Sequence, residues 1–242
     1  QDQEMVQWYE NVVRSAAKHH IMVNFHGAFK PTGMNRTWPN QITREGILGN
    51  EYSKFSNSVT AEHTATLPFT RYLLGPGDFT PGSFNNVHGE EFRQQSPAIE
   101  IGTRAHAIAL CVAFDSPLMT LCDWPEHYSG QPGIEALRNL PTVWKETRAL
   151  DGAIGELYVV ARKSHADDRY LAAITAAKSP LPVKLSFLGG GDYDATLYTD
   201  APDSDTNAKS ITVKAQRVTA SDTFTLGLAR EGGAVVIFKK AR

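Results

Sequence analysis

The chain has 242 residues, of which 41% are apolar and 21% charged, and this is the composition of an ordinary globular protein with one large or two medium domains. Its formal net charge of -2 contains no blocks of like charge, which argues against a nucleic-acid partner and favours a small, weakly charged one. No run approaches the ~18 to 20 apolar residues of a membrane span, and no signal peptide is visible, so we expect no membrane-spanning segment. Cys111 and Cys122 are the only cysteines, with neither the number of a disulfide scaffold nor a metal-ligand spacing.

The first part of the chain has the pattern of an α/β protein. Apolar residues from Met5 to Ala16 recur at i, i+3, i+4, i+7, i+8 and i+11, which predicts an amphipathic helix. Ile21–Phe25 (IMVNF) predicts a short buried strand that is followed by polar residues. A helix followed by such a strand indicates a (β/α) repeat, and in barrels of this kind the loops after the strands carry the chemistry. Further helices are predicted over Thr66–Leu74 and Arg104–Phe114, and a further strand over Leu118–Leu121.

The sequence changes in character near residue 150. Seven short segments rich in β-branched or aromatic residues are separated by turn-forming stretches, and they read GELYVVARKS, RYLAAITAA, PVKLSFL, DYDATLYTD, SITVKAQRV, DTFTLGLA and AVVIFKK. Segments of this spacing predict an antiparallel β-sandwich. We therefore predict an α/β part over residues 1–148, followed by an all-β part over residues 149–242.

The segment from His26 to Tyr52 is the strongest candidate for a functional loop, because it has little periodic hydrophobicity and contains two prolines and four glycines. His26 directly follows the strand IMVNF, where a side chain would point into the mouth of a barrel. The alternative is a histidine that only ties down the loop. Lys30 and Arg44 could bind sugar hydroxyls, although isolated charges more often form solvated or structural ion pairs.

Glu45 and Glu51 form an acidic pair in the same segment. Glycoside hydrolysis needs a protonated acid for the leaving oxygen and a second carboxylate as nucleophile or base, whereas calcium needs hard oxygen ligands. Two glutamates alone do not choose between these uses, and solvated surface carboxylates are the commoner explanation. Downstream, the stretch DWPEHY makes Glu126 a second candidate acid that could also accept hydrogen bonds from sugar hydroxyls, although a glutamate after a proline is also an ordinary helix start. Asp78, in GPGDFTPG, is more typical of a turn than of a catalyst.

Taken in order, three stretches resemble glycoside hydrolase family 97: FHGAFKPTGMNRTWPNQITREGILGNEY, LPFTRYLLGPGDFTPGSF and SPLMTLCDWPEHY. The resemblance covers roughly residues 1–130. The β-rich remainder matches mainly in its position and in its pattern of short β-rich segments. It implies an N-terminal β-sandwich, a central (β/α)8 catalytic barrel of the TIM type and a C-terminal β-sandwich, with calcium in the active site. The chain is then expected to be the C-terminal part of the barrel plus the C-terminal sandwich.

The roles of individual residues follow from this resemblance. It implies that Glu51, in the Asn-Glu-Tyr triplet, is the proton donor, and that His26 lines the sugar subsite. Glu45, in Arg-Glu-Gly, corresponds to a glutamate of the calcium site, and we assign Glu51 to the same site. Inverting members carry a glutamate directly after the histidine, where this chain has Gly27, so the resemblance implies the retaining branch. The nucleophile of that branch is an aspartate at the end of the preceding barrel strand, which is expected upstream of Gln1.

The expected function is hydrolysis of terminal α-glycosidic bonds with retention, with α-galactosides favoured and α-glucosides next. The expected partners are an oligosaccharide or α-galactoside and either an absent N-terminal portion or a second copy of the chain, and the resemblance implies a periplasmic or secreted protein. A noncatalytic carbohydrate-binding or structural fragment is the alternative from another class, because half a barrel leaves strand edges and apolar surface uncovered. A metal-dependent hydrolase using His26, His63, Glu45 and Glu62 is a third hypothesis, but the chain lacks the His-Glu-x-x-His spacing.

Overall fold

The computed structural model describes residues 2–241. The first part of the chain contains six helices and four short strands, which are α1 (Gln3–Lys18), β1 (Val23–Phe25), α2 (Met34–Thr37), β2 (Gln41–Arg44), α3 (Ala61–Thr66), β3 (Asn86–Val87), β4 (Glu100–Ile101), α4 (Arg104–Ala113), α5 (Pro125–Tyr128) and α6 (Ile134–Arg138). Four 3-10 helices lie at Asn50–Lys54, Leu67–Phe69, Arg71–Leu74 and Gly89–Glu91. The second part contains eight strands, β5 (Glu146–Ala153), β6 (Leu157–Lys163), β7 (Arg169–Thr175), β8 (Ser179–Lys184), β9 (Tyr193–Asp200), β10 (Ile211–Val218), β11 (Thr223–Leu228) and β12 (Gly233–Lys240).

The predicted first helix is present as α1, whereas the predicted buried strand Ile21–Phe25 is confirmed only over Val23–Phe25, because Ile21 and Met22 are exposed and precede β1. Asp2 caps α1 by accepting a hydrogen bond from the Met5 backbone N–H at 3.0 Å. Tyr9 and Val13, one turn apart on α1, are buried against Phe25 at the end of β1. Strand β1 pairs with β2 in parallel, and β3 pairs with β4 in parallel. The first part is therefore an α/β structure, in which parallel strand ends lie side by side.

Two predictions for the first part need correction. The predicted strand Leu118–Leu121 is wrong, because this stretch is irregular; the Ser116 hydroxyl donates to the Leu118 carbonyl oxygen at 2.7 Å and satisfies it locally. The predicted helix Thr66–Leu74 is instead the end of α3 followed by two 3-10 helices. Pro68 has no N–H to continue the α-helical pattern, and the backbone of Thr70 is not helical. By contrast, the prediction of a helix over Arg104–Phe114 is confirmed by α4.

The second part is an antiparallel β-sandwich. One sheet has six strands in the order β10-β9-β12-β7-β6-β5, and the other is the β11-β8 pair. All seven predicted strands are present, and β5 is an additional one. Nearly every side chain of β5 is exposed, so its sequence ETRALDGA lacks the alternation that identifies a half-buried strand. The predicted boundary between residues 148 and 149 falls inside β5.

The six-stranded sheet is covered on both faces. Leu171 and Phe238 on one face pack with Leu181 and Leu226 of the two-stranded sheet. On the opposite face the sheet packs on α4, every residue of which is buried. A single hydrophobic cluster joins the two parts, and its members include Phe79, Ile108, Phe114, Val160, Ile174 and Val235. No helix within residues 2–241 is both long and apolar enough to cross a bilayer.

Candidate active site

The candidate site lies at the carboxyl ends of β1 and β2. Phe25 and Arg44 are partners in the parallel pairing, so His26 and Glu45, the residues that follow them, lie at the same sheet edge. The Glu45 backbone N–H donates to the Phe25 carbonyl oxygen at 2.8 Å, which extends the pairing by one step. The register of the two strands therefore brings together two side chains that are 19 positions apart in sequence.

A third group, Glu51, joins them. His26 Nδ1 lies 3.8 Å from Glu45 Oε1 and 3.9 Å from Glu51 Oε1. One ligand atom from each of these three residues lies within 4.8 Å of the other two. The side chain of Glu45 is 16% exposed, while those of His26 and Glu51 are 39% and 42% exposed, so solutes can reach the cluster. We call these three residues the carboxylate cluster.

Glu51 is positioned by the short helix Asn50–Lys54. The Asn50 backbone N–H donates to the Phe79 carbonyl oxygen at 2.8 Å, and its fully buried side chain donates to Cys122 Sγ at 2.9 Å. Gly49 permits this approach, because a Cβ at that position would lie 2.9 Å from the Phe79 carbonyl oxygen. Lys54 Nζ lies 3.5 Å from Glu51 Oε2, and it is the nearest cation to that carboxylate among the described ion pairs.

Gly27 occupies the position at which the resemblance implies a glutamate in inverting members. Its φ of 64° is in the left-handed region, and a Cβ built there would meet nothing within 4 Å. Its backbone N–H donates to Glu45 Oε2 at 2.5 Å. Gly27 thus leaves open space beside His26 and helps to hold the Glu45 side chain toward the cluster.

Asp78 contacts the carboxylate cluster through His26, and unlike a turn residue in solvent it is buried. Its side chain is 1% exposed, and its Oδ2 lies 2.7 Å from both His26 Nε2 and Asn24 Nδ2. Sequence reasoning treated Asp78 as a turn residue, and its only signal was a position in a third polar loop. Although burial favours the neutral imidazole, the hydrogen bond to Asp78 and the charges of Asp78, Glu45 and Glu51 together raise the pKa of His26.

Arg71 ties the loop of Asp78 to the end of β2. Its side chain is buried, and its guanidinium donates to five backbone carbonyl oxygens at 2.8–3.0 Å, those of Arg44, Glu45, Gly46, Gly75 and Pro76. These bonds satisfy the guanidinium without a carboxylate partner. The chain segments that carry Glu45 and Asp78 are therefore joined by one side chain.

The structure does not bring the other predicted site residues into the carboxylate cluster. The Arg44 side chain is 1% exposed, and its guanidinium lies 4.5 Å from the ring centroid of Phe29 and 5.2 Å from that of Tyr9. This placement favours a packing role over contact with a sugar. Lys30 and Glu126 are exposed, the first in the loop after β1 and the second in α5.

A groove of about 290 Å³ has Glu51 in its lining but neither His26 nor Glu45. It is lined in part by Lys54, Thr80, Cys122 and Trp124. The indole of Trp124 is 55% exposed and rests on the His127 ring at a centroid distance of 5.6 Å. A larger groove of about 910 Å³ lies in the sandwich beside β8 to β11, where its lining includes none of the carboxylate cluster.

The carboxylate cluster suits a divalent cation. Two of its three groups are carboxylates, whose hard oxygens calcium prefers, and their separation lets them share one ion. The imidazole nitrogen is a ligand more typical of zinc and other transition metals, so the donor set alone does not exclude them. Glu45 and Glu51 are the two oxygen donors that the sequence assigned to calcium, and the structure places them together.

Comparisons with known proteins show which families and relatives the chain is similar to. A family model described as Glycoside hydrolase 97 matches residues 1–47, and one described as Glycosyl-hydrolase 97 C-terminal, oligomerisation, matches residues 143–239. A retaining alpha-galactosidase of Bacteroides thetaiotaomicron is 37% identical over 204 residues, which cover 82% of this chain and 31% of the relative. A probable retaining alpha-galactosidase of Streptomyces bingchenggensis is 34% identical over 242 residues, covering 98% of this chain and 34% of the relative.

Solved structures give the same result. A glycoside hydrolase family 97 enzyme from Pseudoalteromonas sp. strain K8, in complex with acarbose, matches with a TM-score of 0.91 and 37% identity, over 99% of this chain and 38% of that one. A beta-arabinopyranosidase matches with a TM-score of 0.79 and 26% identity, over 95% of this chain and 36% of that one. The chain spans about a third of the length of these relatives. The likeness confirms the predicted fold class, a partial barrel followed by a C-terminal sandwich.

Proposed function

Because this chain belongs to glycoside hydrolase family 97, we propose that it supplies the acid/base and part of the sugar-binding site of a retaining exo-α-glycosidase. The observation that carries the proposal is the meeting of His26, Glu45 and Glu51 at the ends of two parallel strands. In barrels built from such strands, this is the edge where the chemistry takes place. The exposed fractions of these side chains leave them open to a substrate.

The proposed mechanism is a double displacement. Glu51, protonated when the substrate binds, gives its proton to the glycosidic oxygen as the bond from that oxygen to the anomeric carbon breaks. An aspartate supplied from upstream of this chain attacks the anomeric carbon and forms a glycosyl-enzyme ester. Glu51, now ionised, takes a proton from a water molecule that attacks the same carbon and releases the aspartate. The two inversions together retain the anomeric configuration.

Gly27 supports retention over inversion. An inverting enzyme needs a second carboxylate that activates water on the face opposite the acid. At the position where the resemblance implies that carboxylate in inverting members, this chain has Gly27, with a left-handed backbone and no atom within 4 Å of a Cβ built there. Glu45, the neighbouring carboxylate, is already engaged by the Gly27 N–H.

Two sugars are candidate substrates. The relatives described as retaining alpha-galactosidases favour α-galactosides. The family 97 enzyme from Pseudoalteromonas was solved with panose and with acarbose, which makes α-glucosides the second candidate. Both substrates place an α-linked terminal sugar at the cluster, so the same acid/base serves either one.

The groove beside Glu51 suits the leaving group. The proton donor must contact the oxygen that links the terminal sugar to the rest of the substrate, so the rest of the substrate extends away from Glu51. The groove of about 290 Å³ is lined by Glu51 and by the exposed Trp124, whose apolar indole face can stack on a sugar ring. We assign this groove to the leaving group.

Calcium is the proposed cofactor. Glu45 would hold it as a carboxylate, and Glu51 would add the oxygen that does not carry its catalytic proton, with His26 beside them. When bound, the ion supplies positive charge at the site where negative charge gathers on the substrate oxygens. The protein's own contribution is to hold the two carboxylates at one sheet edge and to keep Glu45 oriented through the Gly27 N–H.

The proposed partner of the chain, besides its substrate, is a second copy, and the proposed location is periplasmic or secreted. The support for self-association is the description of the C-terminal family model, which covers residues 143–239 and names oligomerisation. Strands β5 and β10 form the two edges of the six-stranded sheet and carry mostly exposed side chains. These edges are the surfaces where a second copy could pair.

The acid/base role is tested by changing Glu51→Gln in the full-length protein. For an α-galactoside with a poor leaving group, such as melibiose, we expect kcat/KM to fall by about 10²- to 10⁴-fold. For a dinitrophenyl α-galactoside the loss should be much smaller, because that leaving group needs no proton. Glu135→Gln, at an exposed glutamate paired with Arg138, is the matched control and should leave both values unchanged. Near-normal melibiose hydrolysis by the Glu51→Gln variant would exclude Glu51 as the acid.

A further inference from the structure

We propose that Asp78 is a positioning residue that fixes His26 in the tautomer with its hydrogen on Nε2. In that tautomer Nδ1 keeps a lone pair, and this lone pair faces Glu45 and Glu51. The proposal rests on the proposed function only in naming calcium as the ion at the carboxylate cluster. Asp78 itself touches neither the ion nor the substrate in this scheme; it acts through the imidazole.

The hydrogen bonds around Asp78 determine which nitrogen of His26 carries a hydrogen. Its Oδ2 lies 2.7 Å from Asn24 Nδ2 and 2.7 Å from His26 Nε2. An amide nitrogen can only donate, so Asn24 gives a hydrogen to Oδ2, and a carboxylate can only accept. His26 Nε2 must then carry the hydrogen of its bond to Asp78. Neutral imidazole has one N–H, which leaves Nδ1 without one.

Burial makes this arrangement hard to reverse. The Asp78 side chain is 1% exposed, and its second oxygen, Oδ1, is buried without a hydrogen-bond partner among residues 2–241. Turning the His26 N–H away would leave Oδ2 with one donor in place of two, in a site that water does not reach. Leaving a buried carboxylate short of donors is costly.

The backbone holds Asp78 in place independently of His26. Its N–H donates to the Arg44 carbonyl oxygen at 3.2 Å, and Arg71 joins the preceding residues Gly75 and Pro76 to the end of β2. Asn24 lies on β1, two residues before His26. Asp78 is therefore fixed against both strands that carry the cluster, and a residue held in this way can orient a neighbouring ring.

This tautomer determines how His26 Nδ1 interacts with a cation held by Glu45 and Glu51. Nδ1 lies 3.8 Å from Glu45 Oε1 and 3.9 Å from Glu51 Oε1, so a cation held by the carboxylates meets this nitrogen. A lone pair attracts the cation, whereas an N–H would turn the positive end of its dipole toward it. Carboxylates that orient a histidine in this manner affect metal affinity about 10- to 100-fold when they are replaced.

The tautomer is measured directly by ¹⁵N NMR of the full-length protein labelled on histidine, at a pH where His26 is neutral. This chain alone contributes eight histidines to the spectrum. The His26 signals are therefore identified by their loss in His26→Gln. We expect a protonated Nε2 and an unprotonated Nδ1. A hydrogen on Nδ1 in the wild-type protein would overturn the proposal. This measurement needs no Asp78 variant to fold and no enzyme activity.

Asp78→Asn provides the second test, because its amide can present a donor to Nε2 and let the hydrogen move to Nδ1. We expect that tautomer change and a rise in the calcium Kd of about 10- to 100-fold by calorimetry. Asp200→Asn is the matched control: Asp200, the last residue of β9 in the sandwich, is a buried carboxylate that accepts from the Thr103 hydroxyl, and the Kd should stay within about twofold. A folded Asp78→Asn variant with unchanged tautomer and Kd would contradict the proposal. A wild-type protein that binds no calcium but shows the expected tautomer would contradict the proposed cofactor instead.

Discussion

Glu100 lies beneath the short helix that carries Glu51, and its carboxyl group is buried. Its Oε2 accepts from the Ser83 backbone N–H at 2.8 Å and faces Asn50 Nδ2 at 3.5 Å, while Oε1 has no partner within the described part of the chain. Burial raises the pKa of Glu100 to about 8, against the opposing effect of backbone hydrogen bonds. The carboxyl group beside the short helix Asn50–Lys54 is therefore neutral through most of the physiological pH range.

This residue predicts a pH dependence of stability. Between about pH 4.5 and pH 8 the folded chain keeps the Glu100 proton that the unfolded chain has lost, so the free energy of unfolding falls as the pH rises through this window. One group can contribute a slope of up to about 1.4 kcal/mol per pH unit. Plotted against pH, the free energy of unfolding of the wild-type protein, measured by urea denaturation, should fall relative to that of Glu100→Gln, because glutamine does not titrate. Parallel curves would show that Glu100 does not titrate in this window.

At the residue scale, the sequence identified part of the candidate site. Glu45, Glu51 and His26 were predicted from local motifs and from the resemblance, and the structure brings them together. Asp78 could not be assigned in this way, because its role depends on a contact with His26 across 52 positions. Arg44 shows the opposite case: its charge suggested a substrate contact, but its position in β2 places it among aromatic rings.

At the scale of elements, α4 and the strands beneath it pack with almost no free space. Gly233 begins β12 directly against α4, and a Cβ there would lie 2.7 Å from His106 Cα, 2.9 Å from His106 N and 3.0 Å from the Ala173 carbonyl oxygen. All three are backbone atoms, which cannot move without shifting α4 or β7. Gly227 in β11 is a second strand glycine, and a Cβ there would meet nothing within 4 Å.

This pair of glycines gives a matched prediction. Gly233→Ala should destabilise the fold by about 1 to 3 kcal/mol or more, since it overpacks a rigid contact. Gly227→Ala should be neutral or stabilising by up to about 1 kcal/mol, because alanine loses less conformational freedom than glycine on folding. Urea denaturation at one pH measures both changes. Equal effects of the two substitutions would contradict the close packing of β12 on α4.

Elements were predictable where their pattern was strong. Helices α1 and α4 and the seven strands after residue 156 follow clear periodicities, and the structure confirms them. Strand β5 was missed because both its faces are largely exposed, and Leu118–Leu121 was wrongly predicted because an apolar run is no evidence of a neighbouring strand to pair with. In both cases the outcome depended on packing, which local sequence does not contain.

At the scale of the whole molecule, the two parts of the chain are not independent. Helix α4 lies between the α/β part and the six-stranded sheet, and one hydrophobic cluster contains Phe79 and Phe114 from one side and Val160 and Ile174 from the other. The Arg162 side chain on β6 donates to the carbonyl oxygen of Ala113, the last residue of α4, at 2.9 Å and so links the sheet directly to this helix. The sandwich thus packs in the same cluster as Phe79, whose carbonyl oxygen accepts from the Asn50 N–H beside Glu51.

The central claim, that this chain supplies Glu51 to a retaining α-glycosidase, concerns the fate of the anomeric centre. Proton NMR of the full-length protein acting on an aryl α-galactoside follows that centre before the free sugar equilibrates. The account predicts that α-galactose appears first and that the β-anomer grows in later by mutarotation, because two successive displacements retain the configuration. Initial release of β-galactose would contradict it, since that product requires a single displacement by water and a base that Gly27 cannot provide.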